Sequence, residues 1–165
     1  MIDRNALLKW LRSIDKKLRR KITLIAVGGT AMTLLGLKSS TRDVDFCISS
    51  EEKKDFEKAL NKKFKVDIFT DGYIFSEQLP GEYIDKSKEI SSLKRIRLTS
   101  LSPEDIIITK AARFNARDEE DIQSLAKYVN KQELMERFEE VVRSYSGKAE
   151  DYRYHMKIIL KRYFK

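Results

Sequence analysis

Cysteine and histidine are almost missing from this chain of 165 residues, with Cys47 and His155 the single examples of each. One thiol excludes an intrachain disulfide, and one imidazole leaves no zinc constellation, so any bound metal must be held by oxygen. Long apolar runs are also missing, and no stretch approaches transmembrane length. The opening MIDRNALLKWL is amphipathic and lacks the apolar core and cleavage site of a signal peptide, so a cytoplasmic protein without membrane association is expected. Repeats, low-complexity tracts and flexible linkers do not occur either. What remains is 41% hydrophobic and 36% charged, enough apolar material for one compact domain or a small module with a helical extension.

Positive charge is what the chain has in excess. Lys and Arg number 34 against 26 Asp and Glu, a formal net charge of +8, and the pI is near 9.5. Such a field attracts polyanions and favours nucleic acid or a nucleotide as partner. Arg19, Arg20 and Lys21 cluster near one end, and the KRYFK tail at the other adds Tyr163 and Phe164, whose rings could stack on bases. The bland alternative is a lysine-rich surface that only solvates helix faces.

Residues 3–20 carry Leu7, Leu8, Leu11, Ile14 and Leu18 at helical spacing, with a basic outer face. KITLIAVGG reads as a buried strand entering a glycine turn, and TAMTLLGL as a helix ended by Gly36. After the KSSTR loop, DVDFCIS forms a strand on which Val44, Phe46 and Ile48 alternate against Asp43, Asp45 and Cys47. Ser50 resembles the cap of a helix over EEKKDFEKAL, and KFKVDIF is the next strand. Turn residues Asp71, Gly72, Pro80 and Gly81 predict a peripheral loop, followed by sheet-edge strands in EYIDK, EISSL and RIRLTS. From Ser102 onward the pattern is helical, with Pro103 in a first turn and Gly147 stopping one helix before the last. The expected division is a catalytic module over 1–100 and a helical part over 101–165 packed on it.

The stretch from Val27 to Phe46 concentrates the chemistry. Gly28 and Gly29 let the backbone approach phosphate oxygens, and a helix starting after them supplies N–H donors and the positive end of a dipole. Asp43 and Asp45, two positions apart on a strand, present both carboxylates to one face and so to one metal site. Asp67 arrives on the neighbouring strand. This is how a small domain holds a nucleoside triphosphate against magnesium.

Gly28, Gly29 and Thr30, then Asp43, Val44 and Asp45, then Asp67 between hydrophobic neighbours, resemble the signature of the nucleotidyltransferase superfamily, shared with polymerase beta and the antibiotic nucleotidyltransferases. GGTAM followed by STRDVDF is more similar to the abortive-infection toxin type and related small nucleotidyltransferases than to the minimal antitoxin enzymes. The matching segments run over residues 22–125. The resemblance implies an α/β (α+β) fold, a mixed sheet flanked by helices with a C-terminal helical extension. It implies Mg2+, or Mn2+ in its place, at Asp43 and Asp45, and transfer of a nucleoside monophosphate from an NTP such as ATP with release of pyrophosphate. Asp67 would complete the second metal site or act as base on the acceptor hydroxyl. Gly28, Gly29 and Thr30 would hold the triphosphate, with Thr41 and Arg42 in the contacting loop. Lys110, after SPEDIIIT, would neutralise phosphate charge, with Asp118 or Asp121 orienting it or serving the acceptor.

RNA, a tRNA end in particular, suits the basic surface as acceptor. A protein hydroxyl, in an AMPylating or UMPylating mode, would use the same chemistry, and a cognate antitoxin would be a partner if the chain is a toxin-antitoxin component. A cationic drug suits a basic chain poorly. The rival classes are a noncatalytic nucleotide- or RNA-binding module and a structural subunit, and the carboxylate trio argues against both, since buried acids are costly without a cation. Single residues have plainer readings: Lys110 as a snorkelling helix lysine, Asp118 and Asp121 as first-turn acids with Arg117 paired to one of them, Cys47 as a buried thiol, His155 as a packing or capping residue.

Overall fold

The computed structural model covers residues 1–165. In chain order its elements are β1 (Ile2–Asp3), α1 (Arg4–Asp15), β2 (Ile22–Ala26), α2 (Gly28–Leu34), β3 (Ser40–Thr41), β4 (Val44–Ile48), α3 (Lys53–Ala59), β5 (Val66–Thr70), β6 (Tyr73–Ile74), β7 (Glu77–Gln78), α4 (Tyr83–Lys86), β8 (Lys88–Ser92), β9 (Ile96–Ser100), α5 (Pro103–Ala111), α6 (Ala116–Ala126), α7 (Lys131–Arg143) and α8 (Ala149–Tyr163). They form two compact units, residues 1–71 with 86–101, and residues 72–85 with 102–165. Residues 72–85, assigned above to the catalytic module, belong to the second unit.

In the first unit five strands run in the order β5-β4-β2-β9-β8. The β2–β9 and β4–β5 pairs are parallel, and β2–β4 and β8–β9 are antiparallel. The architecture is α+β with a mixed sheet, as expected. Helix α1 is amphipathic, capped by the Asp3 carboxylate on the Ala6 N–H at 2.8 Å, and buries Leu7, Trp10, Leu11 and Ile14. Each such burial stabilises by roughly 1.5–3 kcal/mol. The Trp10 ring stacks on Phe46 of β4 at 6.5 Å, and Phe46 meets Phe56 of α3 edge-on at 6.1 Å. One face of β4 is thus covered by α1 and α3, which leaves Asp45 and Cys47 on the other.

Three local expectations need correction. RIRLTS is β9, an interior strand beside β2 rather than an edge, because Ile96, Leu98, Thr99 and Ser100 are all buried. EYIDK is not a strand, since Tyr83–Lys86 forms a helical turn. Ser50 does not cap α3: its N–H donates to the Asp71 carboxylate at 3.0 Å, and the helix begins at Lys53 with no side-chain cap.

The second unit is a short β6–β7 hairpin with helices α5 to α8. Ser102 caps α5 through the Asp105 N–H at 3.2 Å, with Pro103 in the first turn, and all nine residues of α5 are buried. The helices meet around Phe138 and Tyr152, whose rings lie 4.8 Å apart, and the Tyr152 hydroxyl donates to the Ile108 carbonyl. Beneath them Asp105, fully buried, takes two 2.8 Å bonds from the Arg137 guanidinium. His155 caps the end of α5, its Nδ1 2.8 Å from the Ala111 carbonyl, and packs on Phe114.

Candidate functional site

Pairing of β2 with β4 sets the geometry of the glycine turn. Ala26 is the register partner of Phe46, and one step further the Val27 N–H donates to the Asp45 carbonyl at 3.2 Å. The chain then turns through Gly28 at φ +55°, in the left-handed region that favours glycine. Gly29 answers a demand for space: a Cβ there would lie 2.7 Å from Thr41 Oγ1. The glycine pair, the entry to β4 and Thr41 are therefore in mutual contact, although the rest of α2 and the loop over 35–39 separate the pair from Thr41 in the chain.

Two threonine hydroxyls bracket the entry to β4. Thr30 Oγ1 donates to the Asp43 carbonyl at 2.9 Å and accepts the Asp45 N–H at 3.0 Å. The Thr41 hydroxyl donates to the same Asp43 carbonyl at 2.9 Å. A hydroxyl has one proton to give. Both protons are spent on Asp43, so neither threonine can donate to a phosphate while the bracket stands. Thr30 and Thr41, expected as triphosphate ligands, are buried here and fix the backbone that carries the two aspartates. The donors left for an anion at this turn are the first backbone N–H groups of α2, whose seven residues make a short dipole.

Asp45 and Asp67 are register partners on the parallel strands β4 and β5, so their side chains share a face. Asp45 is 8% exposed, whereas Asp67 and, one residue before β4, Asp43 are exposed, as is Arg42. The three carboxylates do not gather into a group able to hold a metal by themselves. The face of β4 that carries Asp45 and Cys47 is not solvated, since Val44 through Ile48 are all buried.

The second unit holds a separate polar cluster. Lys110 is buried rather than snorkelling, its Nζ 2.8 Å from Asp121 and 3.6 Å from Asp118. Asp118 forms a reciprocal capping box with Asn115 and receives two 2.8 Å bonds from Arg113, not from Arg117. Burial alone would raise the Asp118 carboxyl, but the Arg113 fork, Lys110 and the Asn115 N–H outweigh it and hold it below the usual carboxylate range. The KRYFK tail is likewise engaged, with the Tyr163 hydroxyl donating to Glu119 at 2.8 Å and Arg162 paired to the same carboxylate. Tyr163 is therefore held by its own chain rather than presented to a base.

A family model described as "Nucleotidyltransferase of unknown function (DUF6036)" matches residues 5–165. The chain belongs to this family. No curated protein matches it. Membership spans both units and agrees with the superfamily read from Gly28 to Asp67. In this family member, sequence reasoning missed Arg113, the strongest partner of Asp118, which also lies over the Phe75 ring at 5.3 Å. The available signal was Asn115 three residues before Asp118, a capping pattern that turns the Asp118 carboxylate back toward the end of α5. Glu77 was missed as well. Only 2% exposed, it is pushed up to about 7 by burial, offset in part by N–H groups at Ser76 and Glu77 and by the Arg113 charge.

Proposed function

We propose that this member of the family transfers a nucleoside monophosphate from an NTP to a hydroxyl of RNA. The observation that carries the reading is the β4–β5 register, which sets Asp45 beside Asp67 on one face, with the entry to β4 bonded to the glycine turn. In the reaction an acceptor oxygen bonds to the α-phosphorus, the α–β phosphoanhydride bond breaks, and pyrophosphate leaves with the electron pair. The acceptor proton goes to a carboxylate, for which exposed Asp67 is suited.

Asp43, Asp45 and Asp67 fit a magnesium ion by donor chemistry, being hard oxygen ligands without any nitrogen or sulfur competitor at the site. Magnesium commonly takes one or two carboxylates and completes its shell with water and substrate phosphates, so two of these three would suffice to hold it. When bound, the ion would offset negative charge on the triphosphate and the leaving pyrophosphate. The protein's share is to fix Asp43 and Asp45 through Thr30 and Thr41, and to keep backbone close to the phosphates at Gly28 and Gly29. The net charge of +8 supports RNA over a cationic small molecule as acceptor. The resemblance of GGTAM and STRDVDF to abortive-infection toxins supports a toxin role, in which induced expression arrests growth and the Asp43→Asn, Asp45→Asn protein does not.

The test is incubation with each alpha-labelled NTP, magnesium or manganese, and cellular RNA together with protein extract, beside the Asp43→Asn, Asp45→Asn variant. Label entering RNA, and lost in the variant, is the expected result. Label entering a protein band transfers the acceptor role to a protein hydroxyl. Triphosphate binding without label transfer in any condition refutes catalysis and leaves a nucleotide-binding module.

A further inference from the structure

The first unit carries a second polar site at the end of β2 away from the glycine turn. Ile22 to Ala26 spans about 13 Å of extended strand, so the two ends are distinct surfaces. Sequence supplies the cations in two distant segments, Arg19–Lys21 ahead of β2 and Lys94–Arg97 around the turn into β9. Parallel pairing joins them: Ile22 is the register partner of Ile96, and the Ile22 N–H donates to the Arg95 carbonyl at 2.8 Å. The turn is pinned to the end of α1, because the Asp15 carboxylate accepts the N–H groups of Arg95 at 2.6 Å and Ile96 at 3.0 Å.

The result is a hollow of about 320 Å³ lined by Lys21, Lys94, Arg95, Arg97, Ser92 and Glu52, among others. Its one acid, Glu52, accepts from the Thr23 N–H and the Ser49 hydroxyl, each at 3.3 Å. Arg97 pairs with Glu89 and Arg20 with Asp55, both in exposed positions where solvent weakens the pairing. Lys16, Lys17, Arg19, Lys21, Lys94 and Arg95 have no ion-pair partner. Lys21, Lys94, Arg95 and Arg97 line the hollow against the single acid Glu52, an excess of positive charge that a polyanion would offset. The exposed large hydrophobic side chains are Met1, Tyr73, Ile84, Tyr128, Met135 and Tyr154, none of them in 15–23 or 92–97. This surface therefore has no ring for base stacking and no wedge for a bilayer, and what it offers is charge for phosphodiesters.

We propose that this hollow seats the phosphate backbone of an RNA strand, with Lys21, Lys94 and Arg95 supplying the contacts, independent of base sequence. The inference rests on the proposed function only in naming RNA as the polyanion. It gives the RNA a grip on the first unit apart from Asp43 and Asp45.

The experiment is fluorescence anisotropy of a labelled RNA of about 20 nucleotides and mixed sequence, without NTP or divalent metal, titrated with the full chain across a salt series. A Lys21→Gln, Lys94→Gln, Arg95→Gln variant is expected to bind about tenfold or more weakly at low salt, with a log–log salt slope shallower by about 2, from three contacts at about 0.7 each on a single strand. A Lys21→Arg, Lys94→Arg variant, which keeps both charges, should bind as the parent does. Circular dichroism checks that the variants are folded. Parental affinity and slope in the glutamine variant would overturn the proposal. So would the chain pelleting with phosphatidylserine-containing vesicles while failing to bind RNA. Label transfer to RNA with a glutamine variant that binds normally refutes this surface and keeps the function; binding at this surface without any transfer does the reverse.

Discussion

A double-mutant cycle on Thr30 and Thr41 tests the bracket around Asp43. Thr30→Val keeps the shape of the side chain and removes a hydroxyl that both donates to the Asp43 carbonyl and accepts the Asp45 N–H. The Asp43 carbonyl keeps its bond from Thr41, but the Asp45 N–H is orphaned in a buried position, which costs about 1–3 kcal/mol. Thr41→Val removes only one of two donors to a carbonyl that stays satisfied, and about 0.5–1 kcal/mol is expected. In the double variant the Asp43 carbonyl loses both donors, so the loss should exceed the sum of the single losses by about 1 kcal/mol. Equilibrium urea unfolding, with m-values compared across the four proteins, reads each term. Additivity within about 0.3 kcal/mol, or a larger effect from Thr41 than from Thr30, would show that the two hydroxyls do not share one acceptor. The same variants should weaken triphosphate binding, because the backbone that carries Asp43 and Asp45 is no longer held.

Gly29→Ala forces a methyl within 2.7 Å of Thr41 Oγ1, so it should destabilise by about 1–3 kcal/mol; in a Thr41→Ser background, whose side chain has more room to shift, much of that should return on the same unfolding curves. Lys110→Met leaves Asp121 without its buried ammonium partner, a loss of about 3–5 kcal/mol by calorimetry, and a Lys110→Met, Asp121→Leu pair should recover most of it. Glu77 has its folded value raised from 4.5 to about 7, so the native state holds a proton that the unfolded chain releases. The stability this provides is complete below about pH 4.5 and lost as pH rises through 7, a swing of about 3 kcal/mol. Glu77→Gln, which keeps the shape without the charge, should therefore match the parent near pH 4 and unfold at a higher temperature near pH 8; parallel melting profiles for the two proteins across that range would refute the assignment.

Legibility followed the range of the interactions. Strand β2, the glycine turn and strand β4 could be read because a buried strand, a left-handed turn and an alternating strand are written in neighbouring residues. The same holds for α5, whose Ser102 cap and Pro103 are local signals. The roles of Thr30 and Thr41 could not be read in that way. A threonine after two glycines looks like a phosphate ligand until the pairing of β2 with β4 brings Asp43 and Asp45 to its hydroxyl. RIRLTS resembled an edge strand for a related reason: its place beside β2 depends on a partner some 70 residues earlier, and no local pattern encodes that pairing.

By itself the sequence determined the nucleotidyltransferase superfamily, most of the strands and helices, and the excess of positive charge, since each follows from composition or from residues close together in the chain. Tertiary structure alone decided which groups meet. It set Asp45 beside Asp67 by strand register, gave Asp118 to Arg113 rather than Arg117, spent the Thr30 and Thr41 protons on a backbone carbonyl, and joined Lys21 to Lys94 and Arg95 across the β2–β9 pair. The physical reason is that hydrogen bonds and ion pairs act over a few ångströms, so a side chain's role is settled by its neighbours in space, which the chain order does not record until the sheet has formed.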